Sequence, residues 1–159
     1  MSEPTHFDSD PSCAICAVLT MGTPALFEND LWHVRPIDPP CVVPDWVMLI
    51  SRRHLPGPAA FDDREAQSFG PTFRHLQRVL LEVSGSLRIY SAAMGESSPH
   101  FHCHLVPRYA SMPKQAKGWA VFDLLRASAA GEVDVDAGEV TRMNEAYGRA
   151  LVATPPPPP

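Results

Sequence analysis

Long apolar runs and an excess of positive charge are missing from this sequence, and its cysteines number only four. No stretch reaches the ~18 uninterrupted apolar residues of a membrane span, so no membrane partner is expected. Lys and Arg together number 13 against 18 Asp and Glu, a net charge of −5. Non-specific nucleic-acid binding wants a basic face and is therefore not expected. A small anion held by local donors remains compatible with that balance. The opening residues, Met1-Ser-Glu-Pro-Thr-His-Phe-Asp, lack a charged start followed by an apolar stretch, the pattern of a secretory signal. A cytoplasmic location is the expectation. Four cysteines in a reducing compartment do not make a disulfide framework, so the C-x-x-C pair Cys13 and Cys16 calls for another explanation.

Proline, by contrast, is abundant. Of 18 prolines, five form the run Pro155 to Pro159, which can pack neither as a helix nor as a central strand. Residues 1–12 are expected to be a disordered start, 13–152 a single domain, and 153–159 a disordered polyproline tail. Within the domain, Leu26–Glu28 and Leu31–Ile37 read as strands joined at Asn29-Asp30. Trp46–Ser51 is an apolar run of strand length. Phe69, Phe73, Leu76, Leu80 and Val83 repeat at i, i+4, i+7, i+11 and i+14, one face of a helix. Asp62 and Glu65 supply a capping-box start, Ser84-Gly85-Ser86 an end, and Pro71 predicts a kink or a restart. Leu87–Met94 reads as a strand. Trp119–Leu125 could form a short helix, and a last helix is expected from about 137 to 152 with Val140, Met143, Tyr147 and Leu151 facing the core. The sum is an α+β domain: an antiparallel sheet with one long helix across it and a C-terminal helix.

The densest chemistry lies in Pro99-His100-Phe101-His102-Cys103-His104-Leu105-Val106-Pro107-Arg108. Histidines at spacing two share one face of a strand, with Phe101, Cys103 and Leu105 turned to the core. Zinc wants four ligands, and Cys13 and Cys16 supply two. Cys41 sits in a proline-rich loop and Cys103 faces inward, so the remaining ligands should be His54, ending a strand, and His100, beginning one. Two buried thiols without metal are the alternative. If zinc takes His100, then His102 and His104 remain for chemistry: one imidazole can attack phosphorus while the other contacts the same phosphate or leaving group. A backbone carbonyl accepting from the other ring nitrogen would set the attacking tautomer. Backbone N–H groups of Gly95–Ser98 and the hydroxyls of Ser97 and Ser98 can meet phosphate oxygens, whereas Glu96 should point outward or act on a cationic group. A zinc hydrolase with His100, His102 and His104 on one metal is a further alternative, strained on a single strand and silent about C-x-x-C.

These residues resemble the signature of the histidine triad (HIT) superfamily, His-φ-His-φ-His-φ-φ with φ apolar, in its zinc-containing Pro-His-x-His-x-His-x-x-Pro-Arg branch. The order of C-x-x-C, strands, Arg52-Arg53-His54, long helix, strand and triad strand is similar over about residues 13–110. The resemblance implies a five-stranded antiparallel sheet with one long helix, a homodimer, and a structural zinc ion on Cys13, Cys16, His54 and His100. It implies a nucleotide hydrolase or nucleotidyltransferase working at the α-phosphate of a nucleotide conjugate, whether dinucleoside polyphosphate, phosphoramidate or nucleotide sugar, through a nucleotidyl-histidine intermediate. By position, His102 is the nucleophile, His104 contacts phosphate and leaving group, Ser97 bonds the phosphate or leaving group, and Asp38 binds the ribose hydroxyls. A non-catalytic nucleotide-binding or scaffold protein on the same fold is the competing reading. Two departures bear on the leaving group: many members carry Gly-His where this chain has Asp45-Trp46, and Cys103 replaces a larger residue.

Overall fold

The computed structural model describes residues 9–159. The expected disorder of residues 1–12 falls for the first eight outside that range. The chain begins with a short helix, α1 (Ala14–Thr20), whose N-cap is Cys13. The sequence left this segment without a type. A two-residue strand, β1 (Phe27–Glu28), turns back into β2 (Trp32–Pro36), with Phe27 opposite Val34. The Asn29-Asp30 connection works as read: Asn29 Oδ1 accepts from the N–H groups of both Leu31 and Trp32, an Asx turn.

Strand β3 (Val47–Ser51) pairs with β2, and the long helix α2 (Asp63–Ser84) follows. Its N-terminus carries the full capping box, Asp62 accepting from the Glu65 N–H and Glu65 from the Asp62 N–H. Gly85 ends it in the left-handed conformation, φ 62°, where glycine meets no Cβ penalty. The expected restart at Pro71 does not occur, and α2 is one helix. Gly70, Pro71 and Gln67 are all exposed, so the carbonyl that proline leaves without a donor sits on the solvent side. Leu76 and Leu80 are buried as the spacing predicts, and Phe69 and Phe73 pack against the core. Val83 is exposed, and Val79 takes the inward position instead.

Strand β4 (Arg88–Ala92) is shorter than its expected span, and β5 (His102–Arg108) lies antiparallel to both β4 and β3. The five-stranded sheet has the order β1-β2-β3-β5-β4, the α+β architecture expected. The chain then makes a 3-10 turn at Gly118–Ala120 into α3 (Val121–Ala129), and ends with α4 (Ala137–Ala153), N-capped by Asp136. Beyond α4 the chain lies along α2: the His75 ring nitrogen Nε2 is 2.7 Å from the Thr154 carbonyl, and Pro156 is buried.

Two cores form, one on each face of the sheet. On the helix face, Val34, Val47, Leu49, Cys103 and Leu105 pack with Leu76, Leu80, Tyr147 and Leu151. On the other, Cys41, Val43, Trp46, Val106 and Val121 gather with Phe122, Leu124 and Leu125 of α3. The histidines of β5 belong to this second face, by the strand's alternation. No helix among the described residues is long and apolar enough to cross a membrane.

Candidate functional site

His100 lies just ahead of β5 rather than in it, so strand alternation applies to His102 and His104 alone. This corrects the expectation of three rings in one row. The His100 ring is fully buried and belongs to a separate cluster with Cys13, Cys16 and His54, whose ligand atoms all lie within 4.8 Å of one another. Cys13 and Cys16 are brought together by the first turn of α1, His54 by the chain leaving β3, and His100 by the approach to β5. Phe101 secures that approach, its N–H donating to the Leu55 carbonyl at 2.7 Å and its carbonyl accepting from the Ser51 N–H at 3.2 Å.

The cluster's chemistry fits a tetrahedral ion. Nδ1 of His100 is 3.4 Å from Sγ of Cys16 and 3.7 Å from Sγ of Cys13, and Nδ1 of His54 is 3.4 Å from Sγ of Cys16. Zinc bonds of ≈ 2.3 Å to sulfur and ≈ 2.0–2.1 Å to nitrogen, set tetrahedrally, put sulfur and nitrogen roughly 3.5 Å apart. The outer contacts suit ligands too. Nε2 of His100 is 2.7 Å from the Ser51 carbonyl; it must donate there, leaving the Nδ1 lone pair toward the thiols. Nε2 of His54 is 4.0 Å from an Asp10 carboxylate oxygen. The Asp10 N–H donates to Cys16 Sγ, and the Cys16 N–H to Cys13 Sγ. The geometry is compatible with zinc. A single metal shared by His100, His102 and His104 does not agree with it, because the His100 ring is already committed on both nitrogens.

His102 and His104 stand on one face of β5 with ring centroids 5.3 Å apart, closer than the strand repeat because the rings lean together. The two are set in opposite tautomers. Nδ1 of His102 is 2.8 Å from the His100 carbonyl and must donate to it, so its Nε2 lone pair is available. The Trp46 indole N–H donates to Nδ1 of His104 at 3.1 Å, so that ring carries its proton on Nε2. Burial, and then the neighbouring His102, pull the His104 imidazole down to about 4. Phe122 of α3 stands edge-on to both His104 and Trp46, with centroids at 5.3 and 5.1 Å.

The other expected site residues lie on the β4–β5 connection and in the loop that follows β2. Gly95 turns the β4–β5 connection with φ 73°, a conformation that favours glycine. Ser97 is exposed and Ser98 half-buried on that connection; Glu96 is exposed, as expected. Asp38 is exposed and ion-paired with Arg35. Two residues that sequence reasoning gave no role, Trp46 and Phe122, adjoin His104. Trp46 was legible only as a departure, and Phe122 as part of an apolar run. Asp45, beside Trp46, is fully buried with φ 58°. Tyr109 O–H donates to its Oδ2, while Oδ1 has no partner among the described residues.

Solved structures of low sequence identity share this architecture. A histidine triad protein from Bradyrhizobium japonicum is 20% identical, with a TM-score of 0.64 over 89% of this chain and 99% of that one. A zinc-bound histidine triad family protein from Mycobacterium smegmatis is 18% identical, with a TM-score of 0.59 over 89% and 96%. A hypothetical histidine triad nucleotide-binding protein from Sulfolobus tokodaii is 10% identical, with a TM-score of 0.62 over 89% and 93%. No family model matches the sequence, and no curated protein matches it.

Proposed function

Because this chain has the histidine triad fold, we propose that it is a nucleotide hydrolase or nucleotidyltransferase acting at the α-phosphate of a nucleotide conjugate. The observation that carries the reading is the pair of opposite tautomers on one strand face. His102, its Nδ1–H held by the His100 carbonyl, has a free Nε2 lone pair for attack on phosphorus. His104, proton on Nε2, faces the same phosphate as a donor. Backbone N–H groups of Gly95–Ser98, with the Ser97 and Ser98 hydroxyls, complete the phosphate's partners, and Asp38 serves the ribose. The product of attack is a nucleotidyl-histidine, resolved by water or another acceptor.

Cys13, Cys16, His54 and His100 hold zinc in this reading. The ion supplies cross-linking rather than chemistry, since four protein ligands leave no open position. Residues 13–152 form the working unit, with 153–159 as an appendage. A homodimer is part of the proposal, supported by β4, which lies at the edge of the sheet and offers unpaired backbone groups to a second copy.

The deciding experiment is intact-mass analysis after rapid quench with a panel of nucleotide conjugates. Wild type is expected to carry a nucleotide adduct; His102→Ala is expected to bind nucleotide, form no adduct and turn nothing over. Nucleotide binding by wild type with neither adduct nor turnover would instead identify a non-catalytic binding protein on this fold.

A further inference from the structure

The Trp46–His104 contact restricts what the pair can do. An indole nitrogen is a donor only and cannot accept. While it donates to Nδ1 of His104 at 3.1 Å, a second proton on Nδ1 would set two donors against each other. The contact is shielded: Trp46 is 1% and His104 8% exposed, with Phe122 edge-on to both. We infer that Trp46 is a positioning residue that holds His104 as a neutral Nε2–H donor and thereby restricts this chain to leaving groups that depart without taking up a proton. The inference rests on the catalytic reading above and names its substrate class.

The chemistry follows from the proton count. The Nε2 lone pair of His102 forms the N–P bond at the α-phosphorus. The P–O bond to the β-phosphate breaks, and its electron pair stays on that oxygen, which leaves as part of an already anionic polyphosphate. His104 donates a hydrogen bond from Nε2 throughout and keeps its proton; surrendering it would produce an imidazolate. Water then forms an O–P bond, the N–P pair returns to Nε2 of His102, and the water's proton goes to solvent. An amine cannot leave this way, because the P–N bond of a phosphoramidate breaks only after its nitrogen is protonated. Burial, which pulls the His104 imidazole down to about 4, acts in the same direction as the indole. The Ser97 and Ser98 hydroxyls are far too weakly acidic to protonate a leaving amine at neutral pH, and Glu96 is exposed on the connection.

Two measurements test this on the whole chain. In histidine-¹⁵N-labelled wild type at pH 6, His104, assigned by its loss in His104→Asn, should show an unprotonated Nδ1 and a protonated Nε2. An imidazolium or the reverse tautomer would overturn the inference whatever the catalytic result. In kinetics, diadenosine tetraphosphate should exceed adenosine 5′-phosphoramidate in kcat/KM by at least about 100-fold, the low end of what a general acid contributes. Equal rates, with the adduct on His102 intact, would sink this inference alone; no adduct from any conjugate would sink the catalytic reading with it. Trp46→Phe keeps a ring but no donor: the two His104 tautomers should mix, and kcat should fall about 10-fold at nearly constant KM, the loss of one hydrogen bond. Trp46→His, whose ring can carry a proton, should narrow the anhydride-to-amide ratio.

Discussion

Asp45 and His104 carry opposite protonation linkages within one small neighbourhood. Burial raises the Asp45 carboxyl to about 6, against a smaller lowering by the Tyr109 hydroxyl. Between the ordinary carboxylate value and about 6, the folded chain therefore holds a proton that the unfolded chain has lost. This costs stability as pH rises through that window. For His104 the folded value, about 4, lies below the ordinary imidazole value, so its contribution is lost as pH falls from about 6.5 toward 4. Asp45→Asn keeps a side chain that tolerates positive φ and removes the charge. In urea unfolding the variant should exceed wild type by about 1–3 kcal/mol at pH 7 and converge with it near pH 4. A gain independent of pH would show that charge is not the cause. None of this was legible locally. Asp45-Trp46 reads as a loop entering a strand, and the partners that Asp45 meets there, Tyr109 and Asn144, lie more than sixty residues further along the chain.

At the scale of elements, the helix N-terminus does two jobs. Glu65 closes the capping box of α2 and also receives Arg53, whose Nε lies 3.0 Å from Oε1 and whose Nη2 lies 2.7 Å from Oε2. This fork joins α2 to the chain leaving β3, immediately before His54. Glu65 is 2% exposed, and breaking a buried pair from one side strands the other charge. Arg53 is partly exposed, so Glu65→Ala should cost about 3 kcal/mol, the low end for such pairs, in denaturant unfolding. Loosening His54 should also weaken metal retention against a chelator; unchanged retention would separate the fork from the cluster. The elements themselves were largely readable. Capping residues, the period of α2, and Asn29 at the first turn are signals within a few residues of their effect. Val83 fails because spacing predicts the direction a side chain takes and not what lies opposite it. Pro71 does not restart the helix, because its cost depends on whether the freed carbonyl meets water.

For the whole molecule, the four clustered ligands join α1, the end of β3 and the start of β5. Protein purified without chelators should contain about one zinc per chain by elemental analysis. Removing it, or substituting Cys16→Ala, should lower Tm substantially, since binding to a structural site is folding free energy. Sedimentation equilibrium should return twice the chain mass if β4 edges pair between copies. The ligand set was legible because thiolate and imidazole chemistry narrows the candidates regardless of distance in sequence. The setting of the histidine pair was not. It depends on β3 lying beside β5, which places Met48 opposite His104 and brings Trp46 to the same face. That pairing joins residues more than fifty apart, and no local pattern encodes it. The packing of Phe122 from α3 against His104 and Trp46 is likewise a property of the assembled sheet.

The separation within the cluster has a consequence for biosynthesis. Cys13 and His100 stand 87 residues apart, and synthesis at ≈ 5–20 residues per second puts on the order of 10 s between their appearances. Through that interval the two thiols have at most one of their imidazole partners. If the cluster takes zinc as proposed, the Cys13 and Cys16 thiols stay open to other chemistry until His100 has been made.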